Sequence, residues 1–179
     1  MSGWRPHLDE SAAVDYVLVN ELFKNRDAFY SSTYLTGSAG SPRVLGPVWD
    51  FDISSGNDFR GAARFPRGSM LADRPWVERL YADPAFVSAP AARWQELRAG
   101  GLREELLGSV AGNARTLRST GAAERNFRRW PVLGKRRWPN PPSATERETY
   151  GREVRALRRW LETRIARLDE HVDELSPAS

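Results

Sequence analysis

The hydrophobic residues in the first part of the chain recur with a helical period. Shortly after Asp9, the residues Ala13, Val14, Val17 and Leu18 fall on one face of a helix. Aspartate is favoured at a helix N-cap because its side chain accepts a hydrogen bond from a free backbone N–H group. This pattern predicts an amphipathic helix that begins after Asp9 and buries one face in the core.

The middle of the chain predicts three more helices. Residues 76–81 predict a short one, and Asp83 followed by Pro84 predicts the start of a second, since these residues suit the N-cap and the first turn. We expect Pro90 to kink this second helix. Its buried face should contain Phe86, Val87, Trp94 and Leu97. Apolar residues spaced over 102–117 predict the third helix.

The longest apolar stripe lies at the C-terminal end of the chain. Its members are Val154, Leu157, Leu161, Ile165, Leu168, Val172 and Leu175. Ser143 and Glu146 have the spacing of a capping box, which predicts the start of this helix. A coiled-coil dimer would also use such a stripe. Packing within the same domain is favoured because the chain has several other helices to cover, and we expect a monomer.

A short β-hairpin is predicted between the first helix and the helical second half. Residues 31–35 and 43–49 have the composition of strands, and Gly, Ser and Pro are frequent between them. Residues 53–75 follow without a clear period and predict a long loop. The fold class is therefore α+β and mainly α, with one small hairpin and a long C-terminal helix.

The hairpin ends in an acidic motif, Asp50-Phe51-Asp52. If the strand continues through it, Asp50 and Asp52 share one face and Phe51 points into the core. Two carboxylates about 4 Å apart repel by roughly 4 kcal/mol at an effective dielectric constant near 20, and a divalent cation would reverse that repulsion. Oxygen ligands suit Mg²⁺ or Ca²⁺ better than zinc. The alternative is an acidic pair in a solvated turn.

Three segments together resemble the CotH kinase family, atypical kinases named after a spore-coat protein. They are Val14–Asp27, Ser32–Leu35 and Gly46–Asp52. Residues 94–98 and 159–165 also look like the C-terminal half of that family, so the resemblance covers nearly the whole chain. It implies the fold of a protein-kinase-like C-terminal lobe.

The resemblance also implies a set of site residues. Asp27 would be the catalytic residue that orients the acceptor hydroxyl, and Asp50 and Asp52 would hold Mg²⁺ or Mn²⁺ on the phosphates of ATP. Asn25 and Ser32 would contact the cofactor. Kinases place an Asn five residues after the catalytic Asp, where this chain has Ser32. The implied partner is a protein substrate with Ser or Thr acceptors.

The resemblance further suggests how the chain is organised. We expect one CotH-kinase-like portion over 1–179, divided into a catalytic and metal-binding segment (1–58), a loop (59–75) and a helical scaffold (76–179). Only about two dozen residues precede Asp27, with no strand that carries a phosphate-pairing Lys. We therefore expect the N-terminal lobe to be absent and this chain alone to be inactive.

The expected activity of the full-length protein is transfer of phosphate from ATP to Ser or Thr of a spore-coat or surface protein. The alternative is a non-catalytic structural or coat-assembly protein of the same family, which the Ser32 departure and the missing lobe favour. The localisation is left open, because only the family resemblance suggests a spore coat or the cell surface.

Composition narrows the possible partners. The 179 residues suit a single core, and the chain has no Cys and no apolar run of membrane-spanning length. The net charge is +4, and its densest basic stretch is 125–138. Nucleic acid is disfavoured as its partner, because we expect Phe127, Trp130 and Trp138 to pack this stretch onto the core. A docking surface for acidic substrates or phosphate is the favoured alternative.

Overall fold

The computed structural model describes residues 3–175, which form a mainly helical α+β fold, as predicted. The α-helices are α1 (Glu10–Phe23), α2 (Pro75–Tyr81), α3 (Pro84–Val87), α4 (Ala89–Ala99), α5 (Leu102–Ser119), α6 (Ala122–Arg129) and α7 (Tyr150–His171). The strands are β1 (Leu35–Thr36) and β2 (Val44–Leu45). Short 3₁₀ turns lie at Ala62–Arg64, Pro142–Glu146 and Val172–Leu175. No helix among the described residues is long and apolar enough to cross a membrane.

Helix α1 lies in the centre of the core. It begins as predicted, with the Asp9 carboxylate accepting a hydrogen bond from the backbone N–H of Ala12 at 2.8 Å. It ends at Lys24, which adopts the left-handed conformation (φ 49°) and donates its backbone N–H to the carbonyls of Asn20 and Glu21. The predicted apolar stripe is buried and packs against α4 and α7. These hydrogen bonds fix the end of α1 and therefore the point from which the following loop leaves the helix.

Helix α7 confirms the long C-terminal helix but not its predicted start. The helix begins after Thr149, whose side chain accepts a hydrogen bond from the Arg152 N–H at 3.3 Å. Ser143 instead lies in a 3₁₀ turn, and its hydroxyl oxygen accepts a hydrogen bond from the Arg147 guanidinium at 3.1 Å. The predicted capping box is wrong because this hydroxyl has another partner and the chain turns again before the helix begins.

The apolar stripe of α7 is covered over only part of its length. Leu161, Ile165 and Leu168 are buried in the core, and Leu175 beyond the helix is buried too. Leu157, by contrast, keeps 37% of its surface exposed. The first turns of α7 thus present an apolar face outside the main core.

The predicted helix after Asp83 is divided in two. Helix α3 ends at Val87 and α4 starts afresh after Ser88, so Pro90 lies in the first turn of α4 rather than at a kink. Phe86 and Trp94 are buried as expected, but Val87 is exposed. The interruption changes the helical register, and Val87 therefore does not share a face with the residues of α4.

The hairpin is shorter than predicted. Leu35 pairs with Leu45 and Thr36 with Val44 in an antiparallel register. The Gly46 N–H still donates to the Tyr34 carbonyl at 3.0 Å, but the next residue, a proline, has no N–H to extend the ladder. The Asp-Phe-Asp motif therefore lies in a loop, and the expectation that strand alternation presents its carboxylates is wrong.

The basic stretch 125–138 also differs from expectation. Phe127 packs against Tyr150, with the ring centroids 5.9 Å apart. Trp130 and Trp138 are instead 57% and 78% exposed. The turn between them is attached through backbone hydrogen bonds, such as Gly134 N–H to the Arg147 carbonyl, so it does not depend on burial of the indole rings.

Candidate active site

Three carboxylates converge at the surface near the end of α1. Asp27 follows α1, and Asp50 and Asp52 follow β2. One oxygen of each lies within 4.8 Å of an oxygen of the other two. Asp27 is half-buried, and the other two are exposed. We call these three residues the acidic cluster. The structure thus brings together the predicted catalytic residue and both predicted metal ligands.

Asn25 holds the loop that carries Asp27. Its side chain is buried and donates to the Asn20 side-chain oxygen at 3.0 Å and to the Trp49 carbonyl at 3.4 Å. Its own oxygen accepts the Asp27 backbone N–H at 3.2 Å. Asn25 therefore joins α1, the Asp27 loop and the end of the hairpin. Asn25 is predicted to bind the cofactor. Its hydrogen bonds favour a role in positioning the Asp27 loop.

Ser32 lies at the edge of the acidic cluster. Its hydroxyl donates to the Asp50 carboxylate at 3.4 Å. The turn before it is closed by the Tyr30 and Ser31 N–H groups, which donate to the Asp27 carbonyl at 3.1 and 2.9 Å. The predicted cofactor contact Ser32 is therefore next to the predicted metal ligand Asp50.

A turn at Asp50 shapes the acidic motif. Asp50 has φ 58°, a left-handed conformation that is uncommon for a residue other than glycine. Phe51 packs edge-on against Phe23 of α1, with the ring centroids 5.6 Å apart. The Ser54 hydroxyl donates to the Phe51 carbonyl at 2.6 Å. The predicted anchoring role of Phe51 is thus present, although the motif lies in a loop rather than in a strand.

The acidic cluster is electrostatically unfavourable when nothing neutralises it. The pKa of Asp52 is raised, first by desolvation and then by the nearby charges of Asp50 and Asp27. Among the described residues, none of the three carboxylates forms an ion pair with a cationic side chain. Because these oxygens are no more than 4.8 Å apart, each ionised pair repels by about 1 kcal/mol or more. A bound cation would relieve this repulsion.

A buried ion pair fixes the segment that follows the acidic motif. The Arg164 guanidinium donates to the Glu21 carboxylate at 2.6 Å and to the carbonyls of Pro66 and Gly68 at 2.9 Å. The same carboxylate accepts the N–H groups of Met70 and Leu71 at 2.8 and 2.9 Å. One ion pair between α1 and α7 thus holds both sides of the 66–71 turn.

This pair was not predicted, although the sequence contains a signal for it. Glu21 lies four residues after Val17, and Arg164 lies three residues after Leu161, so each charge falls on the face that its helix buries. Lys24 adds a third buried charge, and its ammonium donates to the Arg67 carbonyl at 2.6 Å. Burial and the nearby Arg164 lower the pKa of Lys24 to about 8.

A loop aspartate follows a buried helix, and an Asp-Phe-Asp motif after a short hairpin faces it. This arrangement is typical of the catalytic lobe of protein kinases. The family model described as CotH kinase protein matches residues 3–168. The chain therefore belongs to the CotH kinase family, as the resemblance indicated. It matches no curated protein and no solved structure at a significant level.

Proposed function

We propose that the full-length protein is an atypical protein kinase that transfers the γ-phosphate of ATP to Ser or Thr of a protein substrate. The observation that carries this proposal is the convergence of Asp27, Asp50 and Asp52 in a chain of this family. Residues 1–58 would supply the catalytic and metal-binding segment, 59–75 a loop and 76–179 a scaffold. A spore-coat or surface protein as the substrate belongs to the same proposal.

The donor set of the acidic cluster suits a hard divalent cation. Its ligands are carboxylate oxygens alone, which Mg²⁺ and Mn²⁺ accept readily. In the proposal, Asp50 and Asp52 hold the ion, and the Ser32 hydroxyl beside Asp50 supports it. The ion would supply positive charge to the phosphate oxygens of ATP. The raised pKa of Asp52 fits a site whose carboxylates need such a charge.

In the proposal, Asp27 is the residue that handles the acceptor. Its carboxylate would take the proton of the substrate hydroxyl while the hydroxyl oxygen bonds to the γ-phosphorus and ADP leaves. Asn25 would contribute by holding the Asp27 backbone N–H and the Trp49 carbonyl in place. Catalysis of this kind depends mostly on positioning, which rigid attachment of the loop favours.

A phosphate-transfer assay tests this proposal. Asp27→Asn in the full-length protein should lower the transfer of labelled phosphate to a Ser-containing protein by about 100-fold or more, while the affinity for Mg·ATP changes little. Asp73→Asn, an exposed aspartate outside the acidic cluster, is the matched control and should keep full activity. If the wild-type protein binds Mg·ATP but transfers no phosphate, the family member is a non-catalytic structural protein. Unchanged transfer by Asp27→Asn would remove the catalytic role of Asp27.

A further inference from the structure

A wide groove opens between α5, α7 and the segment that follows the acidic motif. Its volume is about 1240 Å³. The apolar wall of the groove is formed by Val19, Phe23, Leu106, Val110, Val154 and Leu157. Asp52 also lines the groove, so the groove is continuous with the acidic cluster.

The apolar wall includes the part of the α7 stripe that the core does not cover. Leu157 is more than one-third exposed and Val154 is half-buried, whereas Leu161, one turn further along the stripe, is fully buried. On α5, Leu106 and Val110 face the same groove and are only half-buried. Two helices thus present apolar side chains to a shared space that the described residues leave unfilled.

The lining of this groove has a small excess of positive charge away from Asp52. Arg147 and Glu153 neutralise each other in an ion pair at 2.7 Å. Arg64 and Arg159 also line the groove, and neither forms an ion pair with any described residue. An occupant with carboxylates at its edges would complement these two guanidinium groups.

The size of the groove indicates what kind of occupant it fits. Pockets for small molecules have volumes of about 300 to 1000 Å³, below that of this groove. A helix about 10 Å wide and 15 Å long fills roughly 1200 Å³ and contains about ten residues. Apolar walls on two sides also match the way an amphipathic helix lies in a groove.

We propose that this groove is a docking site for an acidic amphipathic helix of a protein partner. The apolar face of that helix would lie on Val110, Val154 and Leu157, and its carboxylates would pair with Arg64 and Arg159. The partner would be held beside the acidic cluster, because Asp52 borders the groove. The proposal concerns binding alone and does not require phosphate transfer.

Designed peptides test this directly. A fluorescein-labelled helical peptide of about 14 residues, with Leu on one face and Glu on the others, is titrated with the full chain and followed by anisotropy. We expect saturable binding in the micromolar range. A peptide with Lys in place of every Glu should bind about tenfold more weakly or not at all. Equal or tighter binding of the Lys peptide would overturn the proposed charge complementarity.

Variants of the chain locate the binding surface. Leu157→Glu places a charge in the groove and should weaken binding of the Glu peptide by about tenfold or more, whereas Leu117→Glu, at an exposed position of α5 outside the groove, should not. Arg159→Glu should weaken binding, whereas Arg155→Glu, on the same helix but outside the lining, changes the net charge equally and should have little effect. Circular dichroism checks that each variant is folded.

Two further results would contradict the proposal. One is unchanged peptide binding by both Leu157→Glu and Arg159→Glu. The other is concentration-dependent dimerisation in sedimentation experiments that Leu157→Glu abolishes, because the groove would then be filled by a second copy of this chain. Loss of phosphate transfer in Asp27→Asn with intact peptide binding would support the kinase proposal and leave the docking proposal unaffected.

Discussion

Removal of one partner of the Glu21–Arg164 ion pair should strongly destabilise this protein. Both side chains are 2% exposed, and their charged atoms lie 2.6 Å apart. Replacement of Glu21 by Gln keeps the shape but leaves the Arg164 charge buried without a counter-ion. The new amide group also has only one acceptor oxygen, so it cannot accept from both Arg164 and Leu71, which donate to different oxygens of the carboxylate.

The size of the expected loss of stability follows from the burial of this ion pair. Removal of one partner from a buried ion pair costs about 3 to 5 kcal/mol, whereas an exposed pair contributes about 0.2 to 1 kcal/mol. We therefore expect Glu21→Gln to lower the free energy of unfolding by about 3 to 5 kcal/mol. The matched control is Glu170→Gln, because Glu170 pairs with Arg167 at 3.1 Å on the exposed face of α7. The control should change stability by less than about 1 kcal/mol.

Urea denaturation followed by circular dichroism and tryptophan fluorescence measures both variants. Since the ion pair is shielded from solvent, added salt should change the effect of Glu21→Gln little. A loss of less than about 1 kcal/mol for Glu21→Gln, or equal losses for the two variants, would refute the reasoning. In that case the backbone carbonyls of Glu21, Pro66 and Gly68 would be sufficient to satisfy the Arg164 guanidinium.

Two further predictions concern Lys24 and Gly56. The pKa of Lys24 is lowered to about 8 from an ordinary 10.5. Above pH 8 the unfolded chain therefore holds a proton that the folded protein has lost. The free energy of unfolding then rises with pH. In urea denaturation, the free energy of unfolding of the wild type should rise by about 1 to 2 kcal/mol relative to that of Lys24→Met between pH 7.5 and 9.5. A difference between the two proteins that does not change with pH would contradict this. Gly56→Ala should destabilise by about 1 to 3 kcal/mol, because Gly56 has φ 90° and a Cβ there would lie 2.8 Å from the Trp160 ring. Gly108→Ala, in open space on α5, should instead stabilise the protein by about 0.5 to 1 kcal/mol. A change in stability of the same sign for both variants would be inconsistent with the packing around Gly56.

Periodicity predicted the longer helices well because burial of one face repeats along a helix, whereas α6, which has no buried residue, was not predicted. Helix α1 and its Asp9 cap, α5, and the C-terminal half of α7 follow directly from the spacing of their apolar residues. The helix boundaries were harder to predict, because they depend on single side chains whose hydrogen-bond partners are not fixed by the local sequence pattern. Ser143 has the right spacing to cap α7, yet its hydroxyl pairs with Arg147 and the helix starts at Tyr150.

The acidic cluster was predictable in its members but not in its geometry. The sequence identifies Asp27, Asp50 and Asp52, whereas Pro47 and the left-handed Asp50 place the motif in a loop rather than in a strand. The Glu21–Arg164 ion pair joins residues 143 positions apart. A local pattern shows that each charge lies on a buried face, but it does not show that the two charges meet.

The most direct test of the kinase proposal is calorimetric titration of the full-length protein with ATP at saturating Mg²⁺. The account predicts binding by the wild type and by Asp73→Asn, and binding weakened by about tenfold or more in Asp50→Asn, because one ligand of the proposed ion is lost. Asp52→Asn should behave like Asp50→Asn. Equal affinity for Mg·ATP in all four proteins would contradict the assignment of the acidic cluster as a metal site.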